Sequence, residues 1–386
     1  MMMFGALGVR PGRVMGCLLV LGAFGSKAQA GQTVVMTPPN VTAVLNSVQP
    51  GDTIRMEGEF TTGILIRDRD FGGVTIDASN AVIRNVFRLQ RSHNITVLGG
   101  QWYTPGTGDA IRIEQSSHIS FADITVFGNG NRLGAGVRAI DSSFVTLRDG
   151  HYEGLRNGAI LLSTNDSISV RNHFSNGGED GMKIVDSQRV ILAHNSCTGF
   201  EPLPGYHPDC LQLWSLPGRP LQSDIYLLNN LAIGPQQSFV SFTPVELSGT
   251  RLSFVGNYAA TTSGHTITCT GCTDSHIADN MLVVLPDAPW RALLKVNQTD
   301  PSNIVENNAY FDLRGQHGVA LPEPVFSDFV PSIAGLVGSR WDDRSFGLAV
   351  AASAPEPESW AMLVAGFGLV GAAIRRRRAR VPGCVA

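Results

Sequence analysis

The chain has 386 residues, 43% of them hydrophobic and 16% charged, with a formal net charge of −3 at pH 7. Of its 29 basic and 32 acidic residues, eight and two respectively lie in the two ends, leaving a body of net charge near −9. Such a body excludes nucleic acid as a partner and gains nothing from long-range steering of a polyanion; an acidic polysaccharide must be met by a local basic row or a bridging cation.

At the N-terminus, Arg10 and Arg13 precede the apolar run Val14 to Phe24, and Ala28-Gln-Ala30 offers small residues for cleavage before Gly31. This is the pattern of a secretory signal peptide over 1–30. Cys17 sits at the front of the apolar run rather than after it, which argues against a lipoprotein. Val41 to Val48 then predicts a short capping helix, and Gln49-Pro-Gly-Asp-Thr-Ile-Arg-Met56 a first strand.

From there a strand signal returns about every 22 to 27 residues, anchored at Ile95, Ile119, Val145, Ile168 and Val190 and resuming at Ile225, Leu252, Ile277 and Ile304. A second short strand precedes most anchors, as in Asp109-Ala-Ile-Arg-Ile113, Asn157-Gly-Ala-Ile-Leu161, Asp180-Gly-Met-Lys-Ile184 and Asp209-Cys-Leu-Gln-Leu213. Self-similarity at this period means a stacked repeat, and the strands are too short and too alternating for helices. The pattern resembles the right-handed parallel β-helix of pectin-lyase-like proteins over roughly 41–313. The resemblance implies an all-β solenoid whose domain spans 31–345, with equivalent side chains in rows about 4.8 Å apart. Asn172, Asn195, Asn230, Asn257, Asn280 and Asn308 follow the strands at similar offsets and are expected to form an internal amide ladder.

The densest chemistry lies between His173 and Trp214. Aligning Asp180 with Asp209 puts Lys183 above Gln212, with Arg112 and Arg138 in or near the same row; a one-residue slip would turn these side chains away. The expected cleft holds Asp209, His207, Lys183, Asp180 and Tyr206 as catalytic groups, with Arg138, Arg112, Gln212 and Trp214 binding substrate. The loops Thr198 to Tyr206 and Ser215 to Gln222 would wall it. Stacked aspartates repel, so one carboxyl is raised in pKa or the pair, with Glu179, holds calcium. A shared proton suits glycoside hydrolysis, whereas a bound cation suits proton transfer at C5 of a uronate. The aspartate strands resemble those of polygalacturonases, but Asn-Thr-Asp and Gly-His-Gly are missing. Tyr206-x-x-Asp209 with Lys183 is also similar to alginate C5-epimerases and related lyases, although His207 precedes the aspartate here.

Cys197, Cys210, Cys269 and Cys272 remain after the ends are set aside, an even number suited to an oxidising compartment. Cys197 and Cys210 flank a loop they would staple. Cys269-Thr-Gly-Cys272 reads as a local disulfide rather than a zinc pair with His265 and His276.

After an irregular stretch, Ala320 to Val350, read as a cap and then a linker over 346–354, Pro355-Glu-Pro357 is followed by Trp360, an apolar segment from Ala361 to Ile374, and Arg375 to Arg378. This resembles the PEP-CTERM sorting signal of Gram-negative bacteria over 355–386. The resemblance implies an apolar sorting helix, export to the periplasm, cell surface or matrix, transient inner-membrane anchoring and an exosortase as partner. The functional expectation is a monomeric exported protein that modifies a uronate-containing polysaccharide as lyase, epimerase or hydrolase. Its counterpart is a non-catalytic polysaccharide-binding or matrix scaffold protein.

Overall fold

The structure, a computed structural model, describes residues 31–241, 248–291, 293–296 and 300–327; the signal-peptide segment, the 346–354 linker and the sorting segment lie outside the described residues. Each polar turn bends the chain into another short strand, and every strand runs parallel to its equivalent in the next coil. Ten strands stack as one sheet, from Ile64–Arg67 through Asp109–Glu114, Ala135–Ile140, Asn157–Leu162, Met182–Val185 and Asp209–Trp214 to Leu293–Val296. The rest join a second sheet made of two ladders. One contains Ser143–Arg148, Ser167–Val170, Gln188–Ala193, Ser223–Leu228 and Gly249–Val255; the other contains His151–Glu153, His173–Ser175, Ser196–Thr198, Leu231–Gly234 and Tyr258–Thr261. The chain is therefore a parallel β-solenoid.

Strand alternation sends Ile111, Ile113, Val137, Leu161, Met182, Ile184, Leu211 and Leu213 inward, each 1% exposed or less. A helix, Val41–Ser47, places buried Val44 against the core's first end. The strand at Thr53–Phe60 is not the first, because Thr33–Met36 pairs in parallel ahead of it, Thr33 opposite Thr53.

Two strand anchors are one residue out of register. Val145 donates its N–H to Ser167 Oγ, and Ile168 lies opposite Thr146 and Ile191, so Ile168 faces outward. Ile304 lies opposite His276 and is exposed, while Val305 lies opposite Ile277. The reason at the first site is polar: Ser167 and Ser169 are drawn inside, where Ser169 Oγ donates to Asn195 Oδ1 at 3.1 Å.

That asparagine ladder is continuous. Asn172, Asn195, Asn230 and Asn257 each donate side-chain N–H to the amide oxygen of the next, ending on Asn280 and then Asn308, at 2.8–3.1 Å. The left-handed turn conformation belongs to the residue before each rung: Arg171, His194, Asn229, Gly256, Asp279 and Asn307 all have positive φ. A parallel ladder of hydroxyls, unforeseen in sequence, links Ser92, Ser116 and Ser142 and then Thr164 and Ser187. Replacing Asn230 by Ala leaves the Asn195 amide N–H, the Asn195 side chain and the Leu192 carbonyl without their partner. At about 1–3 kcal/mol per stranded buried group, the loss should reach about 3 kcal/mol or more, read as a drop in the urea midpoint.

After Leu313 the described chain continues to Ser327. It runs back along the flank: the Tyr258 hydroxyl donates to the Pro322 carbonyl at 3.0 Å, and Ser327 exchanges two hydrogen bonds with the Asn229 side chain.

Candidate functional site

The ten-stranded sheet carries an outward row of Arg88, Arg112, Arg138, Ile160, Lys183 and Gln212, one residue per coil. A second row sits at the strand entrances: Asp109, Ala135, Asn157, Asp180 and Asp209. Between the rows each coil has a position that faces the interior, held by Ala110, Gly136, Gly158, Gly181 and Cys210, the alanine and the cysteine both buried. A Cβ on Gly181 would meet the Cys210 carbonyl at 2.5 Å and Cys197 Sγ at 2.8 Å. Glycine here is thus a packing requirement imposed by the buried disulfide, and it lets Asp180 face back outward beside Lys183.

Cys197 and Cys210 are joined, with Cα atoms 5.5 Å apart, as are Cys269 and Cys272 at 5.4 Å. The first bridge ties the loop before Asp209 to the solenoid wall. The loop after Trp214 lies at the other end of the same strand, where the Leu216 N–H donates to Asp186 Oδ1. The two loops therefore flank the strand from opposite ends.

Asp180, Glu179, Lys183, Asp209 and Gln212 converge. Lys183 Nζ lies 2.6 Å from Glu179 Oε1 and 2.9 Å from Asp180 Oδ2. Asp180 Oδ1 accepts the Asp209 N–H at 2.8 Å, and Gln212 Nε2 donates to Asp209 Oδ2 at 2.6 Å. His207 Nδ1 lies 3.8 Å from that same oxygen on a well-exposed ring. Asp209 Oδ1 is buried and has no hydrogen-bond partner among the described residues. Tyr206 stands apart from the aspartates, its ring packed under the Arg156 guanidinium at 4.7 Å. Trp214 follows Gln212 on the outward face, half-buried, opposite Val185.

Arg112 and Arg138 share the row but serve another carboxylate. Asp109 takes Arg138 Nε at 2.9 Å and Arg112 Nη1 at 3.3 Å, while Glu114 takes Arg112 Nε. Arg138 engages Asp109 through Nε. Asp109 and Arg156 belong to this charged network, and the sequence reading did not single them out. Asp109 was detectable, since Asp109-Ala-Ile-Arg-Ile repeats Asp180-Gly-Met-Lys-Ile. Arg156 was not, because it reaches Glu179 from the preceding coil.

Burial governs the electrostatics. Asp180 and Asp209 are 1% and 0% exposed. Desolvation lifts Asp180 to about 6 against the pull of Lys183, and lifts Asp209 well above the carboxylate range, helped by the negative charge of Asp180. Burial pushes Glu179 the same way, but Lys183 and Arg156 outweigh it and hold it low. Burial would likewise lower Lys183, but Asp180 and Glu179 prevail and raise it. The cluster thus sorts its groups into a charged Lys183–Glu179 pair and two carboxyls that hold protons unusually tightly.

These oxygens do not fit calcium. Glu179 is committed to Lys183 and Arg156, Asp180 to Lys183 and a backbone N–H, and one oxygen of Asp209 to Gln212. One uncommitted oxygen falls far short of the six to eight ligands calcium takes, and among the described residues no three His, Cys, Asp or Glu are grouped to hold a metal.

Residues 353–378 match the PEP-CTERM protein-sorting motif. That motif marks export and membrane-anchored sorting in Gram-negative bacteria and implies recognition by an exosortase. No curated protein matches the chain. Among solved structures, the surface adhesin PfbA of Streptococcus pneumoniae aligns at TM-score 0.51 and 11% identity, over 74% of this chain and 84% of that one. An alginate lyase from a Paenibacillus species aligns at TM-score 0.49 and 13% identity, covering 72% of this chain and 99% of its own. A pectate lyase of Bacillus subtilis gives TM-score 0.41 and 10% identity, over 81% and 90%. Likeness at such identity concerns the fold alone.

Proposed function

We propose that this exported, sorting-tagged β-solenoid acts on a polysaccharide bearing carboxylate groups, by proton transfer in the groove around Lys183 and Asp209. The observation that supports this reading is the pair of buried carboxyls, both raised in pKa, beneath a row of basic side chains on one open sheet face. Perturbed carboxyls of this kind cluster where acid–base chemistry is done.

The roles divide by exposure. Asp180 and Asp209 are too buried to touch a sugar, so they hold protons and orient the exposed groups. His207 stands on Asp209 and is the group that meets substrate, with Tyr206 at the groove's edge. Arg138 and Arg112, both already paired with Asp109, bring two guanidinium groups to a uronate carboxylate, two and three coils from Lys183 along the solenoid axis. Removal of the proton beside the carboxylate of the uronate lying at His207, a neighbour in the chain of the one held by the arginines, would lead to β-elimination or C5-epimerisation; proton donation to a glycosidic oxygen would lead to hydrolysis. Trp214 serves as a sugar platform.

A second reading has its own support. Each cation of the row is already paired within the protein, as in a surface that binds polysaccharide or builds a matrix without turning it over. Acidic and neutral polysaccharides, with and without calcium, separate the two when unsaturated ends, reducing ends and uronate stereochemistry are followed together. His207→Ala should lower turnover by about 10²–10⁴-fold with unchanged melting temperature, because the ring is exposed. Absence of turnover on every polymer, with binding retained, decides for the scaffold.

A further inference from the structure

One flank of the solenoid is inverted. Along the ladder from His93–Leu98 to His276–Ala278, the outward positions begin as Thr96, Ser120 and Thr146 and end as Ser253 and His276. Between them they turn apolar: Ile168 and Val170, Ile191 and Ala193, Tyr226 and Leu228, then Val255. These side chains form a cluster separate from the interior core. Although they point away from the core, Ile168, Val170, Ile191, Leu228 and Val255 are each 4% exposed or less.

The described chain arrives at the edge of this patch. Ser327 is held by Asn229, the neighbour of Leu228, and Phe326 meets the His194 ring edge-on at 6.4 Å, one coil further back. Room has been made for it. The left-handed position before each asparagine rung carries a side chain at Arg171, His194, Asn229, Asp279 and Asn307, and glycine at Gly256 alone. A Cβ on Gly256 would come within 2.8 Å of both Ser327 N and Ser327 Cβ.

We infer that the outward apolar face of Ile168, Val170, Ile191, Leu228 and Val255 is a docking surface for the chain's own continuation, residues 328–337. That segment reads Asp-Phe-Val-Pro-Ser-Ile-Ala-Gly-Leu-Val, and supplies Phe329, Val330, Ile333, Leu336 and Val337 as apolar partners. The lengths agree. From the coil of Val255 to that of Val170 is three steps, roughly 14 Å at about 4.8 Å each, and ten residues reach at most roughly 36 Å. The sorting motif at 353–378 then follows a segment held on the middle of the solenoid's flank rather than on its last coil, with about 15 residues between, a reach of at most roughly 54 Å.

Limited proteolysis of the full chain in detergent micelles with a non-specific protease, mapped by mass spectrometry, tests this. Cleavage within 338–352 should be at least tenfold faster than within 328–337. Replacing Phe329, Ile333 and Leu336 together by serine should bring the two rates together. Equal rates in the unaltered chain overturn the inference. So does a photoreactive residue at position 191 that, beyond its neighbours in the adjoining coils, crosslinks to a second molecule or to any segment other than 328–337.

Discussion

Asn in place of Asp209 should make the protein more stable at pH 8 by about 1–3 kcal/mol and, if the groove is catalytic, inactive. The sign follows from proton binding. The folded-state pKa of Asp209 is raised above its unfolded value, first by burial and then by Asp180, so the folded protein holds a proton that the unfolded chain releases. Stability conferred by that proton is complete below the unfolded value, near 3.9, and is lost as pH rises toward the folded one. Asparagine does not titrate, and like the protonated acid it offers Gln212 an acceptor. The two proteins should therefore match at about pH 3.5 and diverge steadily above it, a course that urea titrations at pH 3.5, 5, 6.5 and 8 would follow. A destabilised Asp209→Asn protein at pH 8 would show that the ionised carboxylate is needed for the fold, and would sink the proton-holding role. A gain in stability joined to loss of turnover is the trade-off expected where function strains a site.

Lys183→Met should act in the opposite direction, with a loss of about 3–5 kcal/mol at pH 8. Glu179 keeps Arg156 and Asn157, whereas Asp180 loses the ammonium paired with it at 2.9 Å and retains one backbone N–H. Asp180 sits at about 6 with Lys183 beside it, and that neighbour lowers it, so its value climbs further once the ammonium is gone. The penalty is therefore present in full at high pH and shrinks as the pH falls through the new, higher value and Asp180 takes up a proton. The double variant Lys183→Met with Asp180→Asn should regain most of the loss at pH 8, since an amide needs no counter-charge. Equal losses at pH 5 and pH 8, or no rescue by the second substitution, would assign the effect to packing of the lysine stem instead.

How much of this was legible beforehand differs between the fold and the site. The period of the strand signal and the asparagine spacing are local facts, and the solenoid follows because each coil must bury its apolar face on the next. Pairing Asp180 with Asp209 and Lys183 with Gln212 was readable for the same reason: both strands open on the same pattern, and the rungs lie in register. The anchors at Ile168 and Ile304 misled, because in Asp166-Ser-Ile-Ser-Val170 both faces of the strand satisfy an alternating pattern. Which face turns inward was settled by the hydrogen bonds that Ser167 and Ser169 make to other coils.

By itself, then, the sequence determined the repeat, the direction of stacking, the amide ladder and the sorting motif, since each depends on spacing along the chain. Tertiary structure alone decided that the aspartates are buried and bind protons more tightly than an exposed carboxyl, that Lys183 lies beside Glu179 and Asp180, where a bound cation was one of two alternatives, that Arg138 and Arg112 turn to Asp109, and that residues 322–327 run back along the flank. Those outcomes depend on depth, on which coil supplies the nearest opposite charge, and on what covers an outward face, and a linear pattern encodes none of the three.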